Sequence, residues 1–151
     1  MSDEQHTIDV QLTLLDGYKF EVDFGEMGQL FTDEPPPLGK GHGPNPGKLL
    51  IASVANCLAA SLMFAIRKFK EDPGKVSANV RGDMQRIDGR WRITHIQVDL
   101  KLGKTAAEMP HLQRALAQFE DFCIVTQSVR SGIDVTVNVT DKQNQPLMLK
   151  P

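Results

Sequence analysis

The chain is poor in the residues that stabilise small secreted proteins. It has only two cysteines, Cys57 and Cys123, and one tryptophan and one tyrosine among 151 residues. Two cysteines so far apart do not make the dense framework of a disulfide-stapled domain. The first seven residues lack the basic segment and the apolar run of a secretory signal. We therefore expect a cytoplasmic protein whose thiols are normally reduced.

The chain has little net charge and lacks the common nucleotide-binding motifs. The net charge is −2 and the pI is near 6.1, which gives no basic surface for nucleic acid. No GxGxxG or P-loop motif occurs, and the glycine-rich residues 39–43 lack the preceding strand of a phosphate loop. The four histidines have no partner at zinc-ligand spacing. We expect no nucleic-acid partner, no cofactor and no metal.

One long run of the sequence carries no charge. Its eighteen residues, 49–66, reach the lower limit for a membrane-spanning helix. Ser53, Asn56 and Ser61 interrupt its apolar surface, however, and without this segment the strands would have no core. A helix that is apolar nearly all round is also what the centre of a folded domain or an obligate dimer requires. We therefore predict a core helix and no membrane contact.

Alternating apolar residues predict strands, and turn signals separate them. Asp16-Gly17 and Asp88-Gly89 predict two hairpins. Residues 33–47 are too rich in proline and glycine to pair within a sheet, and Asn45-Pro46 predicts a helix start. The predicted strands are residues 7–15, 18–24, 27–32, 76–87, 90–102, 133–140 and 147–149, and the predicted helices are residues 46–71, 106–119 and 122–130. This order predicts an α+β fold in a single domain spanning residues 1–151.

The two cysteines are the residues with the most chemical potential. A cysteine inside a helix, such as Cys57, is usually a small hydrophobe without reactivity. Cys123 lies at a predicted helix start, where backbone N–H groups favour a thiolate, whereas Glu120 and Asp121 oppose it. Ser53 and Ser61 have no base nearby in the sequence. The residues alone leave two interpretations of the cysteines open. They are either two inert core residues, or an attacking and a resolving thiol.

Two motifs in this order resemble the OsmC/Ohr family of hydroperoxide reductases. The first is Gly43-Pro-Asn-Pro46 leading into the helix that carries Cys57, and the second is residues 123–129, CIVTQSV, followed by a closing strand. The order of elements matches over almost the whole chain. The resemblance implies an OsmC-like α+β sandwich, with antiparallel sheets around a long central cysteine-bearing helix. It also implies an intertwined homodimer with its active sites at the subunit interface.

The same resemblance implies a thiol-dependent peroxidase that reduces organic hydroperoxides or hydrogen peroxide. Cys57 would attack the O–O bond and become a sulfenic acid. Cys123 would then condense with Cys57 to form a disulfide. A dithiol or lipoyl-type reductant would restore both thiols.

The sequence also departs from the family pattern. Active members carry a glutamate just after the proline that opens the cysteine helix, where this chain has Gly47. They place an arginine from the N-terminal half beside the attacking thiol, whereas the first arginine here is Arg67. The second motif has Ile124 where a proline is usual. Such an arginine would lower the pKa of the thiol and stabilise the leaving oxygen.

Three other cations are candidates to replace that arginine. Lys40 and His42 lie on the loop before the helix, and Lys48 lies in its first turn. Without such a replacement, two further interpretations remain. The chain would be a non-catalytic OsmC-like dimer that binds a small apolar or acyl ligand at the subunit interface, or the cysteine pair would be purely structural.

Overall fold

The chain folds as an α+β protein in which antiparallel strands accompany one long helix, as the sequence predicts. The computed structural model describes residues 4–132 and 135–147. Short 3-10 turns occur at Gly25–Met27, Ala106–Glu108 and Phe119–Phe122. The main elements are β1 (Gln11–Asp16), β2 (Lys19–Asp23), β3 (Gln29–Thr32), α1 (Pro46–Lys68), β4 (Ser77–Ile87), β5 (Arg90–Lys101), α2 (Leu112–Gln118), α3 (Ile124–Ser131), β6 (Val139–Thr140) and β7 (Pro146–Leu147).

The N-terminal strands form a three-stranded antiparallel sheet in the order β1-β2-β3. The predicted turn at Asp16-Gly17 is present, and Gly17 adopts a positive φ of 55° that favours glycine. Register pairs Leu12 with Val22 and Leu14 with Phe20, while β3 adds Leu30 opposite Val22. Because side chains alternate along a strand, these residues share one face of the sheet. We call it the leucine face, made of Leu12, Leu14, Phe20, Val22 and Leu30.

The second predicted hairpin is also confirmed. β4 and β5 pair antiparallel around Asp88 and Gly89, whose φ angles of 51° and 77° are those of a tight hairpin turn. One side of this hairpin packs against α1. Gly82 on β4 allows a close approach, because a Cβ there would lie 3.1 Å from the side chain of Ile51.

Helix α1 is the central element of the fold, and its predicted start is confirmed. Asn45 caps the helix by accepting a hydrogen bond from the Lys48 N–H at 3.0 Å, and Pro46 is the first helical residue. Buried side chains of α1 and the following segments form the main core, which contains Leu62, Ala65, Ile66, Met109 and Ala115. The helix is long and apolar enough to cross a membrane, a property that the core helix of a soluble protein shares.

The predicted helix over residues 106–119 is broken in the structure. A 3-10 turn ends at Glu108, which closes a capping box with Thr105, and α2 begins only at Leu112. The cause is Pro110, because a residue before proline is forced out of the helical region. Met109 accordingly has φ −131° and ψ 79°.

The C-terminal strand is shorter than predicted. Residues 133 and 134 lie outside the described part, residues 135–138 belong to no strand, and only Val139–Thr140 pair, with Pro146–Leu147. The predicted turn at residues 142–145 is present, while residues 148 and 149 of the predicted last strand also lie outside. An extended segment becomes a strand only beside another strand, and the described part of one chain offers Val135 and Val137 no neighbour. Their side chains are 80% and 56% exposed.

Buried Asp33 organises the loop that leads into α1. Its carboxylate accepts hydrogen bonds from the N–H groups of Glu34 at 2.8 Å, Lys40 at 3.3 Å and His42 at 3.1 Å. The His42 N–H contributes most to lowering the pKa of Asp33, burial opposes it, and the other two N–H groups add to the lowering. The turn is so tight that a Cβ at Gly39 would collide with the Glu34 carbonyl oxygen.

We expect Asp33→Asn to lower the free energy of unfolding at neutral pH, because an amide accepts these hydrogen bonds less strongly. The pKa of Asp33 is lowered in the folded state, so its stabilisation is complete above the unfolded value of about 3.9 and is lost as the pH falls through the folded value. Urea unfolding between pH 3 and pH 7 measures this. Asp23→Asn, which alters an exposed turn contact, is the control. A difference between wild type and Asp33→Asn that does not change with pH would contradict the assignment.

Candidate redox site

Cys57 lies in the middle of α1 and is partly exposed. It packs at the edge of a small buried cluster whose members are Val54, Leu58 and Cys123. Val54 and Leu58 belong to the same helix as Cys57, so α1 supplies both the first thiol and part of the apolar wall around it.

Cys123 immediately precedes α3 and is completely buried, with 0% of its surface exposed. As the N-cap residue it accepts a hydrogen bond from the Thr126 N–H through its sulfur, at 3.4 Å. The Thr126 hydroxyl oxygen lies 2.9 Å from the same sulfur. The predicted position of Cys123 at a helix start is therefore confirmed, and its side chain is the cap.

The fold brings the two predicted site residues together. Cys57 and Cys123 are both free thiols, Cys57 packs against the cluster that contains Cys123, and each thiol shifts the pKa of the other. Two thiols that different elements bring to one cluster are able to form a disulfide after oxidation of one of them. Their catalytic roles stay predictions.

The surroundings of Cys57 favour its neutral thiol. Burial contributes most to raising the pKa of Cys57, and its interaction with Cys123 raises it further. The backbone at Val125 and the hydroxyl of Ser61 act in the opposite direction without reversing the shift. None of these groups carries a positive charge, so the described part of one chain does not supply the cation that a reactive thiolate usually needs.

The surroundings of Cys123 favour its thiolate. Burial raises the pKa of Cys123, but hydrogen-bonding interactions with Cys57, with the hydroxyl and N–H of Thr126, and with Ser61 together lower it below its ordinary value. The two shifts run in opposite directions, so of the two thiols Cys123 is the one whose surroundings favour deprotonation.

The three candidate replacement cations lie on the loop before α1 and in its first turn, away from Cys57 in the middle of the helix. Lys40 Nζ lies 3.4 Å from Asp16 Oδ2 at the tip of the first hairpin. The His42 backbone binds Asp33, and the exposed side chain of Lys48 extends from the first turn of α1. The described chain brings none of these cations to Cys57.

The family comparison decides the assignment of the chain. The family model described as OsmC-like protein matches residues 39–138, which include both cysteines. The chain belongs to the OsmC family. No curated protein sequence matches it.

Solved structures share the OsmC fold with this chain at low identity. An osmotic stress induced and detoxification response protein from Psychrobacter arcticus has a TM-score of 0.68 and 19% identity, covering 84% of this chain and 91% of its own. An organic hydroperoxide resistance protein from Elizabethkingia anophelis has a TM-score of 0.60 and 20% identity, covering 88% and 94%. One from Legionella pneumophila, OsmC, has a TM-score of 0.62 and 16% identity, covering 86% and 95%.

Sequence reasoning missed two residues of this OsmC site. Ser61 appeared to lack a chemical partner, yet it is buried and interacts with both thiols. Its position one helical turn after Cys57 was the available signal, because residues four apart share a helix face. Thr126 carries a comparable signal, since it is the third residue after an N-cap, whose N–H the cap residue binds.

A groove of about 660 Å³ passes close to this OsmC site. It runs between α1, β5 and α3, and Thr126 lies in its wall. Apolar and polar groups share its lining, and the ion pair between Arg130 and Glu120, at 2.7 Å, borders it. The principal apolar lining residues are Leu50, Val54, Leu58, Ile96, Val98 and Val129.

Proposed function

We propose that this OsmC-family chain is a thiol-dependent peroxidase that reduces organic hydroperoxides or hydrogen peroxide. The observation that carries the proposal is that its only two cysteines pack at one cluster, one partly exposed and one buried. The partly exposed Cys57 receives the peroxide oxygen and becomes a sulfenic acid. Buried Cys123 attacks that sulfur and forms a disulfide, which a dithiol or lipoyl-type reductant reopens.

The proposal includes a homodimer, because one chain leaves too much surface uncovered. A compact protein of 16.7 kDa exposes about 7,600 Å². This chain exposes 12226 Å². Large apolar side chains contribute to the excess, among them Leu12 and Leu14 of the leucine face, which are 58% and 55% exposed. A second copy would cover an area typical of an obligate dimer.

The outer elements of the chain give this dimer its intertwined form. The three-stranded sheet makes few contacts with α1 and the second hairpin of its own chain. Val135 and Val137 likewise lack a strand beside them within the described residues. A partner that contributes its own helix and strand edges would cover the leucine face and pair residues 135–138. Such a partner could also bring a cation to Cys57, as the family pattern requires. We further propose that the dimer works in the cytoplasm, where reduced thiols persist.

A second function is favoured by a specific observation. The groove is large and has apolar side chains along its wall, and no cation of the described chain contacts Cys57. Both features suit a non-catalytic OsmC-like dimer that binds a small apolar or acyl ligand. In that case the cysteines would only fill space.

Treatment with one equivalent of an organic hydroperoxide separates the two functions. We expect the reduced protein to lose both free thiols and to gain one disulfide between Cys57 and Cys123, because the two side chains pack at one cluster. Peptide mapping by mass spectrometry detects the cross-link, and dihydrolipoamide should reverse it. If both cysteines stay alkylatable after the pulse, the peroxidase proposal is wrong and the ligand-binding function takes its place.

A further inference from the structure

The sulfur of Cys123 is surrounded by hydrogen-bonding groups of its own chain. Thr126 contributes both its N–H, at 3.4 Å, and its hydroxyl, at 2.9 Å. Both Thr126 and Ser61 are buried, so water does not readily compete for the hydrogen bonds of their hydroxyls. The Thr126 hydroxyl accepts from Cys123 when the sulfur is a thiol and donates to it when the sulfur is a thiolate. Thr126 therefore supports both protonation states of Cys123.

Charged side chains do not take part in this arrangement. The cluster around the two thiols is completed by apolar side chains from α1, β5 and the segment before α3, and Glu120 is bound to Arg130. On the second hairpin, Asp83 is close to both Arg81 and His95, and all three are exposed. The remaining charged groups on the surrounding elements are exposed and are Lys48, Arg67, Lys68, Arg86, Arg90, Arg92, Asp99, Lys101, Arg114 and Asp121.

Among the described side chains that pack with Cys57, the sulfur of Cys123 is the group that can take its proton. We propose that Cys123 acts twice in the catalytic cycle: it first takes the proton of Cys57 as Cys57 attacks the peroxide, and it then resolves the sulfenic acid. Thr126 is the positioning residue that holds Cys123 for both steps. The inference rests on the proposed peroxidase function and adds a general base to it.

The steps balance in atoms and electrons. The Cys57 S–H proton passes to the Cys123 thiolate while the Cys57 sulfur bonds to the outer peroxide oxygen and the O–O bond breaks. The alkoxide that leaves takes this proton from Cys123, giving an alcohol and a Cys123 thiolate. That thiolate bonds to the Cys57 sulfur and expels hydroxide, which solvent protonates. The two sulfurs lose two electrons in total, and the peroxide gains them.

The test is the rate of the first oxidation step alone. We expect Cys123→Ser to slow the oxidation of Cys57 by on the order of 10², the usual contribution of a general base. Rapid-quench alkylation and peptide mass spectrometry measure the remaining Cys57 thiol after mixing with an organic hydroperoxide. If Cys57 of Cys123→Ser oxidises at the wild-type rate, Cys123 only resolves and the inference is wrong. If Cys57 of the wild type is not oxidised, the proposed function fails instead.

Thr126 provides an independent arm of the test that keeps both cysteines. We expect Thr126→Val to slow the first step about tenfold, as for one lost hydrogen bond, and to move the midpoint of its pH profile upward. Thr126→Ser should restore both the rate and the midpoint, because it keeps the hydroxyl. Ser128→Ala, on the same helix, is the matched control for a lost hydroxyl. A Thr126→Val profile with the wild-type midpoint would overturn the inference, and circular dichroism of each variant checks its folding.

Discussion

Cys57→Ser is expected to abolish hydroperoxide reduction, with a rate loss on the order of 10⁴ or more. The partly exposed sulfur of Cys57 is the atom that receives the peroxide oxygen in the proposed cycle, and a serine hydroxyl does not form a sulfenic acid. Buried Cys123 has no exposed surface through which to replace it. A peroxide-consumption assay with dihydrolipoamide as reductant measures the loss.

The fold should survive this substitution, because serine is close in volume to cysteine and Cys57 lies at the edge of its cluster. Ala60→Ser, which adds a hydroxyl to an exposed site on the same helix, is the matched control and should keep full activity. Retained activity in Cys57→Ser would rule out the peroxidase cycle. Loss of activity together with loss of the α-helical circular dichroism would instead report unfolding, and Cys57→Ala would then repeat the test.

The double substitution Leu12→Asp with Leu14→Asp is expected to dissociate the proposed dimer. Both side chains lie on the leucine face, which a second chain would cover. Burying an unpaired carboxylate there costs several kcal/mol. Each change occurs twice in a symmetric dimer. We therefore expect the dissociation constant to rise by more than about 10², which sedimentation equilibrium measures.

The control for this prediction uses the opposite face of the same strand. Thr13 lies between the two leucines and pairs with Glu21, so its side chain points away from the leucine face. Thr13→Asp should leave the dissociation constant within about threefold of wild type, since surface substitutions are usually within ±0.5 kcal/mol. Equal dissociation in both variants would show that β1 tolerates no added charge, and an unchanged dimer in the leucine variant would remove the leucine face from the interface.

Local signals were sufficient for much of the fold. Asp88-Gly89 predicted a hairpin because few other dipeptides adopt two positive φ angles. Asn45-Pro46 predicted the start of α1 through hydrogen bonding and ring geometry within a single turn. Pro110 was an equally local signal, and neglecting its effect on Met109 produced the one long helix that the structure divides.

Other features depend on partners that the local sequence does not contain. Val135 and Val137 alternate as a strand should, but an isolated extended segment has no ladder to join. The replacement cations were chosen for their closeness to α1 along the chain. Lys40 instead lies beside Asp16, because the loop folds back on Asp33.

The sequence by itself determined that the chain has two thiols, an uncharged central helix and motifs typical of the OsmC family. Only the tertiary structure decided that Cys57 and Cys123 share one cluster, and that hydrogen bonds from Thr126 help to lower the pKa of Cys123 while burial raises the pKa of Cys57. The physical reason is distance. A helix cap or a hairpin turn is set within a few residues, whereas the shared cluster and the pKa shifts of two thiols 66 residues apart depend on how α1 and α3 pack.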